Sequence, residues 1–220
     1  MIDHIDADMF GAGFWPQAET VPGYSGGRGA TLFVEHDQQK WVLKHYHRGG
    51  MVGRWLDDGF LWLGQDTARS VIEFDLLREM VTDGLPVPIP VAAHVNRDGP
   101  RYTADLITLR IPDVTPFSTR LELGPAKASV WESVGRCIAE FHSRGYYHAD
   151  LSTHNLQIDP QDQIYLLDWD RGRNLAPGSW RNKNLDRLKR SCVKISSDGR
   201  AAYSPDDWEA LLRGYRAART

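Results

Sequence analysis

Three oxygen-bearing side chains lie close together in the second half of this chain. The stretch HADLSTHNLQID, His148 to Asp159, carries Asp150 and Asn155 five residues apart, and Asp168 follows in IYLLDWD. Asp and Asn are poor strand formers and mediocre helix formers, so their crowding among apolar residues marks a loop. Such a loop can aim all three at one point. A carboxylate and an amide oxygen, here Asp168 and Asn155, suit Mg²⁺, which takes few protein ligands and completes its shell with phosphate oxygens and water. Asp150, set apart from that pair, can accept a hydroxyl proton.

Two upstream features complete the picture. A glycine-rich turn at Gly26-Gly27-Arg28-Gly29 lets backbone N–H groups approach phosphates without side-chain bulk. Lys44 can reach the same phosphates as a point charge. Together these are parts of a phosphoryl-transfer site, where a protein supplies position and charge neutralisation. Taken singly, each residue also has a plain structural reading. The glycines suit an ordinary turn, Lys44 a surface, and Glu73 an exposed helix pair with Arg69. His148 suits a loop brace donating to backbone, and the acids suit turns.

The elements that must position these groups follow from periodicity. Residues 1–22 read as an irregular arm. Leu32-Phe33-Val34 and Trp41-Val42-Leu43, split by Asp37-Gln38-Gln39, predict two antiparallel strands after the glycine turn. RGGMVGRWLDDGFLWLG predicts a loop or short helix. In the following segment Ala68, Ile72, Leu76 and Met80 recur every fourth residue, with Asp66 as a cap and Gly84 as a stop. VAAHVNRDGPRYTADLITLRI predicts a hairpin turning at Asp98-Gly99. After Pro116 the pattern is helical: Val130, Val134, Ile138 and Phe141 share one face, with Gly145 as the stop. QIYLLDWD predicts a short strand ending in acids. Two last helices follow, in SWRNKNLDRLKRSCVKI and SPDDWEALLRGYRAA. Strands dominate the first half and helices the second, which implies an α+β fold in two lobes.

Composition narrows the function. At 220 residues, with 41% hydrophobic and 25% charged residues, the chain is of ordinary globular type. A net charge of -3 gives no reason to expect nucleic acid. Cys137 and Cys192 are the only cysteines, which fits a reducing compartment rather than a disulfide framework. The acidic start MIDHIDADMF lacks the basic and apolar regions of a signal peptide. No apolar run approaches the roughly 20 residues of a membrane span. A cytoplasmic protein is expected, one still able to lie against a membrane.

The motif order resembles the protein-kinase-like superfamily. His148-Ala149-Asp150-Leu151 with Asn155 is similar to its catalytic loop, and Asp168-Trp169-Asp170 stands where the metal-binding triplet would. Lys44 in VLKHY and Glu73 in VIEF match its lysine–glutamate pair. The pattern departs at Ala149, where protein kinases usually have Arg, at Ser152, where Ser-Thr kinases have Lys, and at Asp170, where Gly is usual. These departures favour a small-molecule kinase and leave the role of Asp170 open.

More specifically, GGRGATLFVEHDQQKWVLKHYHRGG, EFDLLREM, GLPVPIPVAA, YYHADLSTHNLQID and WRNKNLDRLKRS together resemble 3-deoxy-D-manno-octulosonic acid (Kdo) kinases. The resemblance implies a bilobal protein-kinase-like fold. Residues 1–22 would form the arm, 23–110 the N-terminal lobe with an antiparallel sheet and one helix, and 111–220 a trimmed, mainly helical C-terminal lobe. It implies ATP and Mg²⁺ as cofactors and, in Gram-negative lipopolysaccharide assembly, transfer to the 4-hydroxyl of Kdo on a lipid A precursor. Asp150 would be the base, and Asn155 and Asp168 the metal ligands. Lys44, Glu73, Gly27, Arg28 and Gly29 would hold the nucleotide, with adenine near Ile107 to Arg110. It further implies a peripheral place on the cytoplasmic face of the inner membrane. Basic residues support an anionic partner there: Arg171, Arg173, Arg181, Lys183, Arg187, Lys189 and Arg190, with a second group at His45, His47, Arg48 and Arg54. Alternatives are a heptose kinase of the lipopolysaccharide core, another small-molecule kinase, or a non-catalytic binding module of the same fold.

Overall fold

A computed structural model describes residues 5–20, 31–47 and 59–218. Two compact units emerge, Met1–Glu79 with Pro88–Arg110, and Met80–Val87 with Ile111–Thr220. The architecture is mixed, with an antiparallel sheet early and helices late.

The first unit is built on six antiparallel strands: β1 (Glu19–Thr20), β2 (Thr31–His36), β3 (Gln39–His45), β4 (Phe60–Leu61), β5 (Pro90–Asp98) and β6 (Arg101–Leu109). The order is β1-β2-β3-β6-β4, with β5 also paired to β6. The predicted strand pair is present, turning at Asp37 and Gln38, both with positive φ. That left-handed pair is the geometry a two-residue hairpin loop demands, and Asp tolerates it. β5 and β6 form the second predicted hairpin, closing at the Asp98↔Arg101 pair.

Strand alternation sorts the side chains by face. Thr31 and Phe33 lie opposite Lys44 and Val42 on one face. Val34, Trp41, Leu43 and Ile107 lie on the other and form a core with Met9 and Trp15. The arm is therefore more ordered than its weak periodicity implied. It makes two 3-10 turns, at Ala7–Phe10 and Ala12–Phe14, and buries Trp15, whose indole Nε1 donates to the Met9 carbonyl at 2.7 Å.

Helix α1 (Arg69–Thr82) starts three residues later than Asp66, which sits instead in a 3-10 turn at Gln65–Thr67. Its first amide is satisfied by the Tyr102 hydroxyl at 3.2 Å. Ala68 and Met80 are fully buried as expected, but Ile72 is 43% exposed. The buried face runs through Ser70, Glu73, Leu77 and Met80; steps of four advance 400°, so Ile72 falls off that face and the row reaches it at Leu76 and Met80.

The second unit holds α2 (Phe117–Glu122), α3 (Ala128–Ser143), α4 (Trp180–Ser197) and α5 (Pro205–Ala217). Short strands β7 (Thr115–Pro116), β9 (Leu156–Ile158) and β10 (Ile164–Leu166) form one sheet, and β8 (Tyr146–Tyr147) pairs with β11 (Arg173–Asn174). All four predicted face residues of α3 are buried. α5 begins with a capping box in which Ser204 accepts from the Asp207 amide and Asp207 accepts in return. α3 and α5 meet at two glycines. A Cβ on Gly135 would stand 2.0 Å from the Leu211 carbonyl oxygen, and one on Gly214 2.0 Å from that of Glu132. Backbone meets backbone there, and no larger residue fits.

Both thiols are buried. Loss of hydration pushes Cys137 upward and Cys192 up to about 12. No helix among the described residues is long and apolar enough to cross a membrane.

Candidate active site

In the first unit Lys44 is the last but one residue of β3 and Glu73 sits on the second turn of α1. The Lys44 ammonium lies 3.1 and 2.9 Å from the two carboxylate oxygens of Glu73. Glu73 is only 3% exposed, so it does not stand on an exposed helix face. Its Oε2 also accepts from the Tyr46 hydroxyl at 2.5 Å. Tyr46 follows Lys44 by two, the same face of the strand, and Lys44 lies over its ring at 4.7 Å. A buried carboxylate is tolerable only when so satisfied. The result is one ammonium in a fixed place on the sheet.

In the second unit the loop after β8 is built around His148, which is 1% exposed. Its Nε2 donates to the Leu167 carbonyl at 2.8 Å and its Nδ1 accepts from the Asp150 amide at 3.0 Å. A carbonyl only accepts and an amide only donates, so the imidazole is the neutral Nε2–H tautomer. Asn184 of α4 clamps the same residue, donating to the His148 carbonyl at 2.7 Å. Asp150 is thereby held at a half-exposed position. Arg187, also on α4, donates from Nε to Asp150 Oδ1 at 2.9 Å and places Nη2 on that same oxygen.

Asn155 closes the loop. Its Nδ2 donates to the Asp150 carbonyl at 2.9 Å, which fixes which way the amide points. Its Oδ1 is then buried with no hydrogen-bond partner among the described residues. An orphaned buried acceptor is costly unless something cationic or donating occupies it. That is the donor a hard divalent cation takes, so Asn155 fits the Mg²⁺ role. Asp168 follows the residue opposite Asn155: the Leu167 amide donates to the Asn155 carbonyl at 2.9 Å, and Leu156 pairs with Leu166. Asp168 has φ 61, a left-handed conformation that collects at functional sites. Trp169 is the anchor behind it, 1% exposed, packed on Phe141 and His148, with Nε1 donating to Leu166.

Sequence reasoning named Lys44, Glu73, Asp150, Asn155 and Asp168. Lys44 and Glu73 meet in the first unit, and Asp150, Asn155 and the strand leading to Asp168 meet in the second. Gly27, Arg28 and Gly29 lie outside the described residues, as do Arg48 and Arg54. Tyr46, Asn184 and the pairing of Arg187 with Asp150 were missed. The first was findable from its i+2 spacing to Lys44; the others depend on where α4 packs. Two residues beside Asp150 are already committed: Thr153 Oγ1 is 3.0 Å from the Ser191 hydroxyl, and His154 Nδ1 is 2.8 Å from that of Ser118.

The profile of the "Lipopolysaccharide kinase (Kdo/WaaP) family" matches residues 12–215. A 3-deoxy-D-manno-octulosonic acid kinase of Xylella fastidiosa (strain M12) is 39% identical over 97% of this chain and 86% of its own. Proteins of the same name from Vibrio parahaemolyticus and Photobacterium profundum are 36% and 34% identical, over 88% and 94% of this chain and 82% and 87% of theirs. Among solved structures, monomeric WbdD matches with a TM-score of 0.53 at 14% identity, over 92% of this chain and 49% of the longer one. WbdD with the kinase inhibitor LY294002 matches at 0.50 and 13%, over 88% and 44%. At such identities these two speak for the fold alone. The near-complete family match and the relatives well above 30% identity make this chain a member of the lipopolysaccharide kinase (Kdo/WaaP) family, and with it an ATP-dependent transferase.

Proposed function

We propose that this protein phosphorylates Kdo, at its 4-hydroxyl, on a lipid A precursor, using ATP and Mg²⁺. The observation that carries the chemistry is the Asp150–Asn155 loop, which holds a half-exposed carboxylate and, five residues on, a buried amide oxygen with no hydrogen-bond partner among the described residues. The shared name of the relatives supplies the acceptor.

In this reading residues 23–110 hold the nucleotide, 111–220 carry the transfer chemistry, and 1–22 form an arm. Lys44, oriented by Glu73 and Tyr46, neutralises nucleotide phosphates, and Gly27, Arg28 and Gly29 cover them. Asn155 and Asp168 hold Mg²⁺, which when bound offsets charge on the phosphates. Asp150 Oδ2 receives the proton of the acceptor hydroxyl. The hydroxyl oxygen forms a bond to the γ-phosphorus, the bond to the bridging oxygen breaks, and its electron pair leaves with ADP. A positioned base of this kind contributes roughly 10²–10⁴-fold. The cations of residues 171–190 meet an anionic surface at the cytoplasmic face of the inner membrane, at about 1 kcal/mol each.

The test is mass analysis of the product from ATP and a Kdo-bearing lipid A precursor, run beside a heptosylated core acceptor. A gain of one phosphoryl group on the Kdo acceptor is expected. Transfer to the heptosylated acceptor alone would reassign the protein to heptose phosphorylation.

A further inference from the structure

The geometry points to Arg187 as the residue that selects an acidic acceptor, by binding the acceptor's carboxylate beside the hydroxyl that Asp150 activates. This inference rests on the reading of Asp150 as the base and of a sugar acid as the acceptor.

The contact is unlike a structural ion pair. Both Arg187 nitrogens, Nε and Nη2, address the single oxygen Oδ1 of Asp150. A stability-oriented arginine would meet both oxygens fork to fork. Here Oδ2 has no hydrogen-bond partner among the described residues, and Nη1 of Arg187 is equally unspent. The side chains are 46% and 43% exposed, where an ion pair contributes little to stability. The pair is better suited to aiming a carboxylate and receiving a ligand than to holding a fold.

The surroundings agree. Residues 148–170 contain no Lys or Arg, so any cation at this base must come from another element, and α4 provides it. Lys183, Arg187, Arg190 and Lys194 follow at spacings of four, three and four, one narrow stripe of the helix. All four are exposed, and only Arg187 has an ion-pair partner among the described residues. The cationic stripe thus includes the residue that pairs with the base. A planar guanidinium with free donors matches a carboxylate in both charge and shape. An acceptor whose acid group lies near its reacting hydroxyl would bridge the two: carboxylate to Nη1, hydroxyl to Oδ2.

The test compares kcat/KM for the Kdo-bearing acceptor with that for the same acceptor after its carboxylate is reduced to an alcohol. Wild type, Arg187→Gln and Arg187→Lys are measured, with ATP affinity as a control. Wild type should prefer the acid by about 10–100-fold, the usual worth of a charged hydrogen bond. Arg187→Gln should bring that ratio near one, and Arg187→Lys should keep part of it, with ATP affinity unchanged in both. If Arg187→Gln loses the same factor on both acceptors, Arg187 serves Asp150 alone and the inference falls. A wild type indifferent to the acid overturns it as well. A wild type that phosphorylates neither acceptor overturns the proposed function and this inference with it.

Discussion

The imidazole of His148 joins two loops: its Nε2 donates to the Leu167 carbonyl at 2.8 Å, one residue before Asp168, while its Nδ1 accepts from the Asp150 amide at 3.0 Å. One neutral ring therefore sets the spacing between the candidate base and a candidate metal ligand. His148→Ala strands two buried partners at about 1–3 kcal/mol each. A lower thermal midpoint and at least a tenfold fall in kcat are expected, read by calorimetry and by phosphotransfer.

Asp150→Ala should remove transfer while nucleotide still binds. The expected loss in kcat is roughly 10²–10⁴-fold. Calorimetric titration with a non-hydrolysable ATP analogue should give wild-type affinity. Near-normal turnover would remove Asp150 from the mechanism.

Asn155→Asp tests the metal role by chemistry rather than by deletion. The amide nitrogen donates to the Asp150 carbonyl, and a carboxylate there places acceptor against acceptor. The Mg²⁺ concentration for half-maximal activity should rise at least tenfold, even though Asp is in general a stronger Mg²⁺ ligand. Asp168→Asn should likewise weaken Mg²⁺–nucleotide affinity.

Tyr46→Phe removes one bond to Glu73 but leaves Lys44 in place. A hydrogen bond of net worth about 0.5–1.5 kcal/mol corresponds to a rise in the KM for ATP of roughly 2- to 10-fold. The KM for the acceptor should not move.

Gly135→Ala and Gly214→Ala each drive a methyl group into the backbone of the opposite helix, 2.0 Å from a carbonyl oxygen. Overpacking of this kind costs about 1–3 kcal/mol or more. Denaturant unfolding should show that loss, with active-site parameters unchanged in whatever fraction folds.

The β2–β3 and β5–β6 hairpins, β10, α3 and the last two helices were legible because their patterns are local: alternation, a four-residue face, a Ser-Pro start. Lys44, Glu73, Asp150, Asn155 and Asp168 were legible as a motif order. Other features were not. Trp15 and Met9 bury against a sheet that forms later in the chain, so the arm lacks a period of its own. Gly135 and Gly214 carry no signal in the sequence, because their need for glycine comes from the opposite helix backbone. Arg187 read as one cation among seven because nothing near it in sequence announces that α4 passes Asp150.

The chain's only two cysteines are buried and carry raised thiol pKa values. Maleimide chemistry on the native protein should therefore find no endogenous target. A pair of engineered cysteines, one at exposed Leu63 and one at exposed Leu123, would accept spin labels without first replacing Cys137 or Cys192. Pulsed dipolar spectroscopy on that pair would then follow, in ångströms, any relative motion of the two units as nucleotide is added.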